Sequence, residues 1–131
     1  MTLDISSALL DQLLAEAEAA HPNECCGILL GEGARIGDIL PATNVHPEPA
    51  THFEIDPQTL IDVHRAARAG GPQVLGYYHS HPNGRAEPSA TDAAMAAGDG
   101  MVWAIVAAGR VAFWRSGDAG FEALPYVTSP R

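Results

Sequence analysis

The longest uncharged apolar run of note, Met101 to Gly109, falls far short of the ~20 residues that a membrane-spanning helix requires. The chain consists instead of short apolar segments separated by glycine- and proline-containing turns, with two stretches of helical periodicity among them. That alternation favours an α/β arrangement, a mixed sheet covered by helices. Its size agrees. With 131 residues, 47% of them apolar and 18% charged, the chain reads as a single domain over residues 1–131 with one core. A core of that size needs neither a disulfide nor a metal merely to fold, so a metal site here would point to function.

The elements can be placed along the chain. Leu9, Leu10, Leu13, Leu14 and Ala17 recur at helical spacing behind Asp4, Ser6 and Ser7 as possible caps, and Pro22 makes His21 a poor helical residue. Cys26 to Leu30 and Ala34 to Val45 read as a hairpin across Gly31-Glu32-Gly33. Thr51 to Ile55 alternates like a strand, and Asp56-Pro57 opens a helix that should end at Gly70-Gly71-Pro72. Val74 to His79 is expected as a strand, Ser89 to Ala97 as a short helix, and Met101–Val106, Arg110–Arg115 and Phe121–Leu124 as three further strands. The last residues are expected to be loose.

Charge and cysteine content narrow the partners. Sixteen acids against seven bases give a net charge of −9, which opposes a phosphate backbone, so nucleic acid is not expected as a partner and neither is a membrane. The N-terminus carries neither a secretory nor a basic transit pattern, which makes the cytoplasm the expected location. The only cysteines, Cys25 and Cys26, are neighbours, and a bond between neighbours is strained. They are read as buried free thiols of a reducing compartment.

The chemistry concentrates in Tyr77-Tyr78-His79-Ser80-His81-Pro82 and the loop that follows it to Asp92. Two imidazoles one residue apart at a strand end face the same side, as two ligands of one metal must. Asp92, on the first turn of the next helix, can supply an oxygen to the same point, which leaves a fourth tetrahedral position open for water. A carboxylate that is not itself a ligand would then serve as base, and Glu24, between a helix end and an apolar strand, is the candidate.

These residues resemble the JAMM or MPN-plus metallopeptidases. A distant glutamate, then His-Ser-His-Pro, then a serine and an aspartate are met by Glu24, His79-Ser80-His81-Pro82, Ser89 and Asp92, with seven residues between His81 and Ser89 and two between Ser89 and Asp92. Glu24-Cys25-Cys26-Gly27 and Phe53-Glu54-Ile55-Asp56-Pro57 resemble two further landmarks of the short bacterial members, so the likeness spans Pro22 to Asp92. It implies a single JAMM/MPN domain of cytidine-deaminase-like architecture. It also implies one zinc ion with a bound water, held by His79, His81 and Asp92, with Glu24 as general base and Ser89 stabilising the oxyanion. The implied reaction is hydrolysis of a peptide or isopeptide bond at the C-terminus of a ubiquitin-like or sulfur-carrier protein, and the chain is too compact for the insertions that grip ubiquitin chains.

Other readings compete. Ser89-x-x-Asp92 is by itself an ordinary helix-capping pattern, and an aspartate aimed at a metal should have less freedom to reach back to the cap. A non-catalytic MPN binding scaffold would be expected to lack a ligand or the glutamate, and none is missing here. A peptidase with an unrelated substrate stays open. Asn83 and Gly84 stand where a metallo-β-lactamase pattern needs Asp and His, and an iron oxygenase would leave Glu24 and Ser89 unexplained. His21 and His64 are read as structural or solvated, while His52 is a candidate groove residue. Only one of Tyr77 and Tyr78 should be core, and Trp103, Phe113 and Trp114 should pack. Oligomeric state is not legible.

Overall fold

Eight strands form one mixed sheet in the order β7-β6-β5-β4-β2-β3-β1-β8 in this computed structural model, which describes residues 1–130. In chain order the elements are β1 (Leu3–Ser6), α1 (Ser7–Ala20), β2 (Cys26–Glu32), β3 (Arg35–Ala42), α2 (Pro57–Arg68) and β4 (Gln73–Ser80). They are followed by α3 (Ala90–Met95), β5 (Val102–Ala107), β6 (Arg110–Gly117), β7 (Gly120–Leu124) and β8 (Tyr126–Ser129). The expected mixed sheet with flanking helices is what forms.

Pleating divides the core between the two faces. Leu3, Ile5, Leu29, Tyr78, Ala104 and Phe113 pack with Leu13 of α1 on one side. Cys26, Ile28, Phe53, Ile55 and Trp103 pack with Val63 of α2 on the other. The centre of the sheet is therefore buried on both faces, and all six residues of β5 are buried. The β5–β6 hairpin closes through Ala108 and Gly109 at φ 50° and 75°, the doubly left-handed turn that matches strand twist.

Three expectations are corrected. The stretch read only as caps is a strand, β1, with Ser6 alone capping α1 by accepting from the Leu9 N–H at 3.2 Å. Thr51–Ile55 is not a strand: only Ile55 forms a bridge, to Asn44, because the Asn44 side chain takes the His52 carbonyl and the Glu54 N–H. The chain end is not loose through residue 129. Strand β8 pairs in parallel with β1, Leu3 opposite Tyr126, and so covers an edge that β3 leaves open.

Candidate metal centre

Strand register assembles the site. The antiparallel β2–β4 ladder sets Cys26 opposite His79, and continued by two residues it sets Glu24 opposite His81. Ser80 secures the continuation: its N–H donates to the Cys25 carbonyl at 3.2 Å, and its Oγ accepts from the Cys25 N–H at 2.8 Å. On the other side β5 runs parallel, and the His81 N–H donates to the Val106 carbonyl at 2.9 Å. The adjacency of Glu24 and the two histidines is thus a property of the sheet.

His79 and His81 lie on the α2 face, their Nε2 atoms 3.0 Å apart. His79 is wholly buried, its ring stacked on Phe53 at 4.3 Å and met edge-on by Trp103 at 5.7 Å. His81 Nδ1 lies 2.7 Å from the Arg85 carbonyl, which can only accept, so Nδ1 carries a proton and Nε2 is the ring nitrogen turned toward His79 and Asp92.

Asp92 closes the cluster from α3, with Oδ1 3.1 Å from His79 Nε2 and Oδ2 3.1 Å from His81 Nε2. The same carboxylate completes a capping box: Oδ2 accepts from the Ser89 N–H at 2.9 Å, and Ser89 Oγ accepts from the Asp92 N–H at 3.0 Å. Capping and facing the two histidines do not conflict, and the freedom to reach back to the cap is not lost, since one carboxylate does both.

Acceptors crowd this space. The two imidazole Nε2 atoms lie 3.0 Å apart and each is 3.1 Å from a different oxygen of Asp92, spacings that require a cation or shared protons between them. Zn–N bonds of 2.0–2.1 Å in a tetrahedron separate donors by about 3.3 Å, so the cluster needs only a few tenths of an ångström to admit such an ion. The donor atoms of Glu24, His79 and His81 also lie within 4.8 Å of one another. These residues fit a metal.

The electrostatics follow from burial. Desolvation pushes the Glu24 carboxyl up to about 7, with His81 pulling it down in part and Asp92 adding to the rise. Burial likewise lowers His79, against the pull of Asp92. For His81, burial works against the charge, but the Asp92 and Arg85 hydrogen bonds outweigh it and raise the group. Burial disfavours ionised Asp92 too, yet hydrogen bonds from both histidines hold it well below the usual carboxylate range.

The remaining residues singled out from sequence fall elsewhere. His21 is the C-cap of α1, and the half-buried His52 stacks on His46 at 4.6 Å. Tyr78 is fully buried, while Tyr77 is half-buried against the α2-side cluster. Cys25 and Cys26 are free and buried, and desolvation pushes the Cys26 thiol up to about 12. Asn44 carried no signal, being one asparagine in a proline-rich connection, and Phe53 was legible only as part of a strand-to-helix junction. Among the described residues no helix is long and apolar enough to cross a membrane.

Comparison with known proteins agrees with this fold. The family described as prokaryotic homologs of the JAB domain matches residues 6–117. A desampylase of Haloferax volcanii is 34% identical over 107 residues, covering 80% of this chain and 77% of that protein. A probable TtuB-protein conjugate cleaving protease of Thermus thermophilus is 34% identical over 92 residues, 70% of this chain and 62% of its own. A Desulfitobacterium hafniense protein of known solution structure superposes with a TM-score of 0.86 at 25% identity, covering 99% of this chain and 94% of the other. A JAB1/MPN domain protein from Archaeoglobus fulgidus shares the fold at a TM-score of 0.62 and 22% identity, over 96% of this chain and 97% of that one. With the family matched over most of its length, the chain belongs to the prokaryotic JAB-domain family.

Proposed function

We propose that the protein is a zinc metallopeptidase of the JAMM type that hydrolyses a peptide or isopeptide bond at the C-terminus of a ubiquitin-like or sulfur-carrier protein. The observation that carries this reading is the buried convergence of His79, His81 and Asp92 at 3.0–3.1 Å with the Glu24 carboxyl beside them. Relatives named a desampylase and a conjugate cleaving protease support the substrate class.

His79, His81 and Asp92 would hold the ion. Zinc supplies Lewis acidity and acidifies water at neutral pH. Glu24 takes the proton of the attacking water and returns it to the leaving amine, a task suited to a carboxyl raised toward neutrality by burial. Ser89 Oγ spends a lone pair on the Asp92 N–H, which leaves its hydroxyl hydrogen to donate to the developing oxyanion.

The test is intact-mass analysis of a ubiquitin-like sulfur-carrier protein bearing a short C-terminal extension, incubated with zinc-loaded enzyme. Release of the extension by the native protein, abolished by chelation and reduced to a small residual rate in Glu24→Gln, is the expected result. Cleavage that persists under chelation would sink the metal mechanism, and absence of cleavage with one zinc bound would sink the substrate class.

A further inference from the structure

Glu24 is fastened through its backbone as well as by the sheet. Its N–H donates to the Pro49 carbonyl at 2.7 Å, and its carbonyl accepts from Asn44 Nδ2 at 3.0 Å. Asn44, half-buried just past β3, also donates from Nδ2 to the His52 carbonyl at 3.0 Å. Its Oδ1 accepts from the His46 N–H at 3.1 Å and the Glu54 N–H at 3.0 Å. A primary amide has two hydrogens and two lone pairs, and all four are used. Two carbonyls at one end and two N–H groups at the other also fix which way the amide faces.

The four bonds tie the connection between β3 and α2 into one unit with Glu24. Backbone bonds reinforce its neck, from Val45 N–H to the Glu54 carbonyl at 2.9 Å and from Asp56 N–H to the Thr43 carbonyl at 3.1 Å. The same connection supplies Pro49 to the Glu24 N–H and Phe53 to the face of His79. Among the described residues, Asn44 is the one side chain that hydrogen-bonds both Glu24 and the backbone of the connection. A general base must be held within a fraction of an ångström of its working place, and a backbone pinned at both peptide groups meets that demand.

Resting on the function proposed above, we infer that Asn44 is a positioning residue that sets the Glu24 carboxyl against the metal point by clamping its carbonyl to the β3–α2 connection.

Asn44→Asp isolates the clamp, because a carboxylate still accepts from His46 and Glu54 but donates nothing to Glu24 or His52. Asn44→Ala removes all four bonds. Both are compared with Glu24→Gln and the double variants, all zinc-loaded, on the extended carrier protein. The expected result is zinc affinity and KM each within about threefold of the native protein, with kcat reduced on the order of thirtyfold. In the Glu24→Gln background the Asn44 substitution should add no further loss. An unchanged kcat, or the full loss repeated on top of Glu24→Gln, overturns the inference, since a merely structural residue would slow both backgrounds alike. Should the native protein bind zinc but cleave no carrier, the substrate reading fails by itself. Amide hydrogen exchange then decides: Glu24 N–H exchange accelerated in Asn44→Asp, with the β5 amides still protected, upholds the clamp, and unchanged Glu24 exchange overturns it. Asn44→Asp also serves if Asn44→Ala does not fold.

Discussion

The ring of Phe53 lies 4.3 Å from that of His79 and only 17° from parallel to it, so an aromatic face holds the imidazole whose Nδ1 is buried without a hydrogen-bond partner. Histidines that bind metals are usually oriented by a hydrogen bond on the second nitrogen, as His81 is by the Arg85 carbonyl. At His79 packing takes that place. Phe53→Leu keeps much of the volume but loses the flat face, and zinc affinity should fall about tenfold in competition with a chelator. Affinity within twofold of the native value would show that Trp103 alone suffices.

The oxyanion role proposed for Ser89 can be separated by substitution from its observed role as N-cap of α3. Alanine at an N-cap costs about 1 kcal/mol, whereas glycine costs only a few tenths. Both lack the hydroxyl. Ser89→Ala and Ser89→Gly should therefore lose activity equally, on the order of a hundredfold, while only the alanine variant melts appreciably earlier. A loss below threefold in both would reduce Ser89 to a cap.

Zinc should stabilise the fold. An ion that binds only the native state at a free concentration about 100 times its Kd adds about 2.7 kcal/mol, which for a domain of this size raises Tm on the order of ten degrees. Removing the metal should reverse the shift, and His81→Ala should show none. Scanning calorimetry with and without chelator reads this directly, and a Tm indifferent to zinc in the native protein would contradict the site.

The parts of this architecture that were legible in sequence are those fixed by local geometry. His79 and His81 share a face because side chains alternate along a strand, and Ser89 and Asp92 sit three apart because a helix start puts them there. Glu24 could be nominated only by residue type and resemblance. Its place beside His81 depends on the β2–β4 register, a pairing across more than fifty residues that no local pattern encodes. Asn44 was illegible for a related reason: its four partners lie up to twenty residues away, and its side chain captures backbone groups that alternation alone assigned to a strand at Thr51–Ile55. Strand β8 escaped notice because its partner is β1, at the opposite end of the chain.

On the far face of the sheet, Tyr78 crosses over Gly27, where a Cβ would strike the phenol ring, and donates a 2.6 Å hydrogen bond to Glu16 Oε1. Glu16 Oε2 is buried without a partner. Burial raises the Glu16 carboxyl above its ordinary value of 4.5, and the Tyr78 bond offsets only part of the rise. The folded state therefore binds the Glu16 proton more tightly than the unfolded chain does. The resulting stability is fully present below the unfolded value and is lost as pH rises through the folded one. Glu16→Gln keeps an oxygen for Tyr78 and carries no proton to lose. Its stability relative to the native protein should therefore improve as pH rises from about 4 to 8. Urea unfolding across that range measures the difference, and a constant gap between the two proteins would show that Glu16 does not titrate with folding.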